Sequence, residues 1–164
     1  MDYSNWYRRI TQPFRERACA RALGTIDKAF VMGFVAAYAI LLIALLAMGN
    51  VRLLGAIAIP GITFALTNII RLTVNRPRPY EAYDIEPLIY KDTRGKSMPS
   101  LHMASATIIT FTFFQFWPIG GIALAVACAG IAFTRIVGGV HYPSDIVVSL
   151  VIAAVCGTIG FSLL

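Results

Sequence analysis

The chain has 164 residues, of which 58% are hydrophobic and only 13% are charged. Soluble domains carry about 25% charged residues, so the composition excludes an ordinary soluble enzyme and predicts a one-domain membrane protein. The formal net charge is +6, and twelve of the fourteen basic residues lie in two segments, 1–28 and 71–96. The three cysteines are widely spaced and form neither a disulfide framework nor a metal-binding pattern.

The first segment, residues 1–28, is predicted to lie on the membrane surface. It combines aromatic residues with arginines but contains no apolar run long enough to cross a bilayer. Pro13 would interrupt a helix that began nearer the N-terminus. A short amphipathic helix is therefore predicted from about residue 13 to residue 23. Membrane lipids are the expected partner of this segment. Nucleic acid is the alternative, but no polar domain presents a surface for it, so no nucleic-acid partner is predicted.

Five apolar segments follow and predict an all-α transmembrane bundle of five spans, or of six helices when the N-terminal one is counted. About 20 apolar residues are enough to cross the hydrocarbon core. The predicted spans cover residues 29–48, 53–70, 100–117, 118–136 and 143–164. The chain is therefore predicted to divide into a basic N-terminal segment, 1–28, and a transmembrane part, 29–164.

These spans place the N-terminus, the polar connection 71–99 and the turn 137–143 on one face of the membrane. Both histidines of the chain fall on that face. The ionisable residues predicted to meet there are Arg71, Arg78, His102, Arg135, His141 and Asp145. The acidic residues of the polar connection, predicted to be solvated, are Glu81, Asp84, Glu86 and Asp92. A metal site built from them is the alternative, but no histidine or close ligand spacing supports it, and no metal is predicted.

The first motif is formed by Arg71 and Arg78-Pro79. Seven positions separate the two arginines, which is nearly two helical turns, so both can point to one side. The second motif, Pro99-Ser100-Leu101-His102, stands at the start of a span. Ser100 is a good N-cap, and the free amides of a first helical turn favour an anion. Ordinary capping and a basic span end remain the alternative interpretations.

The third motif consists of Thr134-Arg135, His141 and Asp145. A helix that starts at Pro143 places Asp145 one turn in, where it can reach back to His141. A carboxylate on one imidazole nitrogen fixes the tautomer and makes the other nitrogen a better base or nucleophile. Arg135 can bind a phosphate through two parallel hydrogen bonds. The alternative is a capping aspartate, an interfacial histidine and an arginine that reaches toward the headgroups.

In this order the three motifs resemble those of the type 2 phosphatidic acid phosphatase (PAP2) family. That family carries Lys-x6-Arg-Pro, Pro-Ser-Gly-His and Ser-Arg-x5-His-x3-Asp. The departures from the family pattern are Arg71 for lysine, Leu101 for glycine and Thr134 for serine. Arg71 keeps the charge and Thr134 keeps a hydroxyl, whereas Leu101 keeps only the backbone amide of the glycine.

The resemblance implies roles for the motif residues. His141 would attack phosphorus and form a phosphohistidine, Asp145 would orient His141, and His102 would protonate the leaving oxygen. The implied phosphate-binding groups are Arg71, Arg78, Ser100, the Leu101 amide and Arg135. Phosphoryl transfer needs such cationic and amide donors around three oxygens. Three arginines can replace a divalent metal, so neither a metal nor another cofactor is expected.

The predicted function is therefore a membrane phosphatase acting on a lipid phosphate or diphosphate. Polyprenyl diphosphate, phosphatidate and phosphatidylglycerophosphate all suit a head at the interface and a tail among the helices. A lipid-phosphate-binding or inactive homologue is the alternative, because of Leu101. A vanadate-binding haloperoxidase relative is disfavoured by the lack of large soluble insertions, and a purely structural membrane protein leaves the placement of both histidines unexplained.

The predicted location is the plasma membrane, with several spans. Short loops rich in lysine and arginine prefer the cytoplasm, so the charge distribution predicts a cytoplasmic site. The resemblance to bacterial relatives that recycle lipid carriers implies the outer face instead.

Overall fold

The computed structural model describes residues 2–163, which form helices and connecting loops without a β-strand. The elements are α1 (Tyr3–Thr11), a 3-10 turn (Gln12–Phe14), α2 (Arg17–Ala47), α3 (Leu53–Val74), α4 (Pro79–Ala82), α5 (Leu101–Phe116), α6 (Pro118–Val137) and α7 (Pro143–Ser162). Met1, where the predicted N-terminal segment begins, and Leu164, where the last predicted span ends, lie outside the described residues.

The predicted all-α transmembrane bundle is confirmed. Four described helices, α2, α3, α6 and α7, are long and apolar enough to cross a membrane, and α5 is an apolar helix of 16 residues. Helices α3, α5, α6 and α7 begin and end within about four residues of their predicted bounds. The bounds were predictable because Pro118 and Pro143 open their helices, as proline favours the first helical turn.

Helix α2 differs from the prediction, because it is one continuous helix of 31 residues beginning at Arg17. The predicted short helix over residues 13–23 is wrong. Pro13 lies in the 3-10 turn that separates α1 from α2, and no proline interrupts the chain between Arg17 and Ala47. The apolar span therefore extends back through a charged stretch that carries Asp27. The predicted boundary between the N-terminal segment and the transmembrane part, at residue 28, falls inside this helix. The division into two parts stays a prediction.

Helix α5 lies at the centre of the bundle and packs against α2, α3, α6 and α7. Its side chains are buried on several sides, since they include Met103, Ala104, Ala106, Ile108 and Phe113. The core around it is built from apolar side chains of the surrounding helices, among them Phe34, Leu45, Ala56, Ile131 and Ile146. The central position of α5 brings its N-terminal end, and the second motif with it, between the ends of the other helices.

Tyr7 attaches helix α1 to the end of α6 and to the polar connection 71–99. This side chain is fully buried; its hydroxyl donates to the Val137 carbonyl at 2.9 Å and accepts from the Leu88 amide at 3.4 Å. Gly139 lies beside it with φ +74°, and a Cβ there would stand 2.6 Å from the Tyr7 hydroxyl oxygen. A glycine is therefore required at residue 139 by both its backbone angle and this close approach.

We expect Tyr7→Phe to lower the free energy of unfolding by about 1–2 kcal/mol, because the buried Val137 carbonyl loses its donor. Amide hydrogen exchange of residues 3–11 in detergent-solubilised protein should become faster. Tyr90→Phe is the matched control, since Tyr90 is 79% exposed. Unchanged exchange in Tyr7→Phe would show that α1 is held by other contacts.

Candidate active site

The residues of the three motifs converge on one side of the bundle, where α3 and α6 end and where α5 and α7 begin. The first motif reaches the third through Arg78, whose Nη1 donates to the Val140 carbonyl at 3.4 Å. The second reaches α7 through the Ser100 amide, which donates to Ser149 Oγ at 2.8 Å. The structure therefore brings all eight predicted site residues to one region, although their roles stay predictions.

His141 and Asp145 form a buried pair at the start of α7. Their side chains are 2% and 0% exposed, and His141 Nδ1 lies 3.5 Å from Asp145 Oδ2. That distance is longer than a usual N–H···O hydrogen bond; catalytic contacts of this kind often tighten when substrate binds. Because Asp145 lies on the Nδ1 side, Nε2 is the nitrogen left for chemistry.

Two side chains that the sequence did not single out hold the Asp145 carboxylate. Ser97 Oγ donates to Oδ2 at 2.5 Å, and Arg76 Nη1 donates to Oδ1 at 2.8 Å. The Arg76 guanidinium also lies over the Tyr142 ring, 3.9 Å from its centroid. The backbone amide of Tyr142 supplies a third donor at 3.0 Å. The carboxylate is therefore held through both of its oxygens. Proximity to the motifs was the only feature of the sequence that pointed to Arg76 and Ser97.

Arg135 is paired with Asp27, a residue of α2 that the sequence analysis also missed. Arg135 is 1% exposed, and its Nε lies 3.0 Å from Asp27 Oδ1. Thr134, which stands where the family has serine, donates its hydroxyl to the same oxygen at 2.9 Å. Within residues 2–163, Nη1 of Arg135 is buried and has no hydrogen-bond partner. A buried cationic donor of this kind is suited to an anionic ligand.

Arg71 and Arg78 are each held through Nε by a carbonyl of the polar connection. Arg71 Nε donates to Lys96 O at 2.7 Å, and Arg78 Nε donates to Gly95 O at 3.1 Å. These contacts fix both guanidinium groups while leaving terminal N–H groups without a partner in the described part of the chain. The two arginines of the first motif are therefore positioned by the loop that joins it to the second motif.

The N-terminal end of α5 offers free donors. Ser100 is the N-cap residue of α5, but its side chain makes no capping bond, and its buried Oγ has no partner among residues 2–163. Within the described residues, the amides of Leu101, His102 and Met103 also donate to no protein acceptor. Such a first turn attracts an anion. Ser100 is therefore at the predicted N-cap position, but its hydroxyl lacks the bond that the alternative interpretation, ordinary capping, requires.

Leu101 does not disturb this arrangement. Its backbone is helical, a conformation that needs no glycine. Its side chain lines an apolar groove of about 360 Å³ with Val31, Phe34 and Phe64. The substitution for glycine thus adds apolar surface beside the site.

Two cavities meet at His102. The apolar groove runs along α2, α3 and α5, and a second, more polar cavity of about 720 Å³ lies between α2 and residues 88–91. His102 and Val31 line both, and Arg135 lines the polar one. A larger concavity of about 830 Å³ lies in the polar connection, beside Tyr80 and Arg94, and contains no predicted site residue. The head and tail of an amphiphilic ligand therefore have adjoining spaces at His102.

The acids of the polar connection have structural partners. Glu81 accepts the backbone amides of Arg78 at 2.7 Å and Gly95 at 2.8 Å. On the surface, Asp84 and Glu86 pair with Arg8 and Arg15. Residues 2–163 contain no group of three histidine, cysteine or acidic side chains placed to hold a metal ion. Metal-independent activity stays a prediction that chelation can test.

Burial lowers the pKa of His141 to about 4, against the opposing effect of the Asp145 carboxylate. The nearby charges of Arg78 and Arg135 act in the same direction as burial. A neutral imidazole keeps a lone pair for attack on phosphorus. His141 in the free protein is therefore neutral at neutral pH.

We expect this buried neutral histidine to make stability pH-dependent. Because the unfolded chain binds a proton at His141 near pH 6.5 and the folded chain only near pH 4, the stabilisation is complete above pH 6.5 and is lost as pH falls toward 4. The contribution amounts to about 2 kcal/mol between pH 7 and pH 5. Thermal unfolding of wild type and His141→Gln over this range measures it. Parallel pH profiles for the two proteins would contradict the expectation.

Comparison with known proteins supports one family. Residues 49–164 match the sequence profile described as the PAP2 superfamily. The undecaprenyl-diphosphatase BcrC of Bacillus subtilis (strain 168) is 32% identical over 136 residues, which cover 77% of this chain and 67% of that protein.

Two solved structures have a similar fold. The crystal structure of Aquifex aeolicus LpxE superimposes with a TM-score of 0.76 at 21% identity, covering 96% of this chain and 93% of that one. A transmembrane PAP2-type phosphatidylglycerolphosphate phosphatase from Bacillus subtilis gives a TM-score of 0.74 at 16% identity, with 98% and 83% covered. At these identities the likeness concerns the fold.

Proposed function

Because this chain belongs to the PAP2 superfamily, we propose that it is a membrane-embedded phosphatase that removes phosphate from a lipid phosphate or diphosphate through a phosphohistidine at His141. The observation that carries the proposal is the set of unsatisfied donors in one buried region. They are Nη1 of Arg135, Oγ of Ser100 and the first-turn amides of α5. Buried polar groups without partners cost folding free energy, and a phosphoryl group would satisfy them.

In the proposed mechanism, Nε2 of His141 attacks phosphorus while Asp145 stabilises the positive charge that develops on the imidazole. His102 donates a proton to the leaving oxygen. Arg71, Arg78 and Arg135 neutralise the phosphoryl oxygens, and Ser100 with the Leu101 amide completes the set of donors. Water then cleaves the nitrogen–phosphorus bond and releases phosphate.

The adjoining spaces at His102 support a lipid substrate. The phosphate head would occupy the polar side of His102, and the tail would lie in the apolar groove lined by Leu101. A relative is named for an undecaprenyl diphosphate, and a structural neighbour for phosphatidylglycerolphosphate. Polyprenyl diphosphate, phosphatidate and phosphatidylglycerophosphate are the substrate classes that we propose for this chain.

A phosphate-release screen over these lipids tests the proposal. Purified full-length protein in detergent should release phosphate from at least one of them in the presence of EDTA. Tight binding of a lipid phosphate without release would favour the second candidate, an inactive binding homologue. The helical backbone of Leu101 weighs against that candidate, since it leaves the Leu101 amide free to donate to a phosphate.

For orientation we propose a multi-pass plasma-membrane protein whose site faces the cytoplasm. Four arginines of the N-terminal segment lie outside the polar cavity and on the same side of the membrane as the site, namely Arg8, Arg9, Arg15 and Arg17. Arg52 is the basic residue of the opposite turn. A cysteine at Asp92 of a variant lacking Cys19, Cys128 and Cys156 should resist an impermeant thiol reagent in intact cells. A cysteine at Val51, which is 93% exposed, should react. The reverse result would give an outward-facing site.

A further inference from the structure

Lys91 is a cation of the polar cavity that none of the three motifs contains. It is half-buried and lines this cavity together with His102 and Arg135. It also borders the concavity of the polar connection. Within residues 2–163 it has neither an ion pair nor a side-chain hydrogen bond. Its position is fixed by its neighbours, because the Ile89 amide donates to Gly138 O at 3.0 Å and the Leu88 amide to the Tyr7 hydroxyl at 3.4 Å. The loop therefore holds an unpaired ammonium group at the edge of the site.

The surroundings of Lys91 are strongly positive. Burial and the charges of Arg135 and Arg78 lower the pKa of Lys91 to about 8, and only Asp27 opposes them. An unpaired ammonium group held beside guanidinium groups is unfavourable without an anion. Three arginines already supply the charge that one phosphoryl group requires. Three further cations line the cavity, and among them Arg21 and Lys28 are exposed whereas Lys91 is half-buried. Lys91 therefore indicates additional negative charge on the ligand.

The position of Lys91 indicates where that charge lies. The polar cavity includes His102, the proposed acid for the leaving oxygen, but not His141. Lys91 therefore stands on the leaving-group side. The leaving group of a phosphate monoester is a neutral alcohol after protonation, whereas that of a diphosphate is a second phosphate. A cation on this side stabilises the lasting negative charge of the second phosphate, which a protonated alcohol lacks.

We propose that Lys91 binds the phosphate that remains on the lipid when the substrate is a lipid diphosphate, and so favours diphosphates over monophosphates. This inference rests on the proposed function. In the step concerned, a bond forms between His141 Nε2 and the terminal phosphorus while the bridging P–O bond breaks. The bridging oxygen keeps the electron pair and leaves with the lipid monophosphate, which receives a proton from His102. Water then releases the terminal phosphate from His141.

Two substrates with the same tail, farnesyl diphosphate and farnesyl monophosphate, test the proposal on the purified full-length protein. Lys91→Met should lower kcat/KM for the diphosphate by about 10- to 100-fold, the range for a lost charged contact, and for the monophosphate by less than about threefold. Lys91→Gln should behave likewise, and Lys91→Arg should retain the preference. Arg94→Met is the matched control, because Arg94 is an exposed cation of the same loop.

Inhibition by inorganic anions gives a second readout. Lys91→Met should weaken inhibition by pyrophosphate while leaving inhibition by phosphate unchanged. Equal losses on both farnesyl substrates, or no loss on either, would overturn the role of Lys91 while leaving the phosphatase in place. A wild-type protein that hydrolyses no lipid phosphate or diphosphate would overturn the proposed function, and this inference with it.

Discussion

Replacing His141 with alanine should lower phosphate release from a lipid phosphate by about 10⁴-fold or more, as expected when a covalent nucleophile is removed. The reason is geometric as well as chemical. His141 is 2% exposed and lies against Asp145, and the second histidine of the chain, His102, has the proposed role of acid. Residual activity would come only from the arginines and amides that bind the phosphoryl group.

The covalent intermediate offers a direct measurement. Wild-type protein quenched during turnover of a ³²P-labelled lipid phosphate should carry acid-labile label, and His141→Ala should carry none. His102→Ala is the informative comparison, because it removes the other histidine without removing the nucleophile; with a good leaving group such as p-nitrophenolate it should still become labelled. Label or turnover within about tenfold of wild type in His141→Ala would exclude His141 as the nucleophile.

Asp145→Asn should lower turnover by about 10²- to 10⁴-fold with a small change in overall shape. An amide can no longer stabilise the imidazolium that develops as His141 attacks, and it can hold the wrong tautomer. The loss should lie in kcat more than in KM, because Asp145 does not contact the substrate. Steady-state kinetics on the lipid identified by the screen provides the measurement.

Asp84→Asn is the matched control for Asp145→Asn. Both changes remove one carboxylate from an arginine, but Asp84 pairs with Arg8 on the surface and its side chain is fully exposed. We expect activity within about twofold of wild type, since exposed ion pairs contribute little. If the two variants lost activity equally, Asp145 would have no special role.

Much of the fold was predictable because its signals are local. Pro118 and Pro143 mark the first residues of two apolar helices, and this signal does not depend on the rest of the fold. Helix α2 was misjudged because a hydropathy window detects the part of a helix that lies in lipid. The charged turns from Arg17 onward look polar in sequence but continue the same helix.

The residues of the site also fall into two groups, those that local sequence patterns reveal and those that they do not. The residues of the three motifs are recognisable because their chemistry is spaced along short segments. Asp27, Arg76 and Ser97 were missed because each contacts a motif residue that is distant in the chain. Asp27 lies 107 residues before Thr134, the hydroxyl that bonds it, and no periodicity or spacing records such a contact.

The Asp27–Arg135 pair also has a consequence for biogenesis. The ribosome completes α2 long before α6 exists, so the carboxylate enters the vicinity of the bilayer without its counter-charge. An unpaired carboxylate in hydrocarbon is costly, so we expect the first turns of α2 to stay at the headgroups until α6 has been inserted. We therefore expect the start of α2 to dock against α6 at a late stage of assembly, when Arg135 becomes available to Asp27.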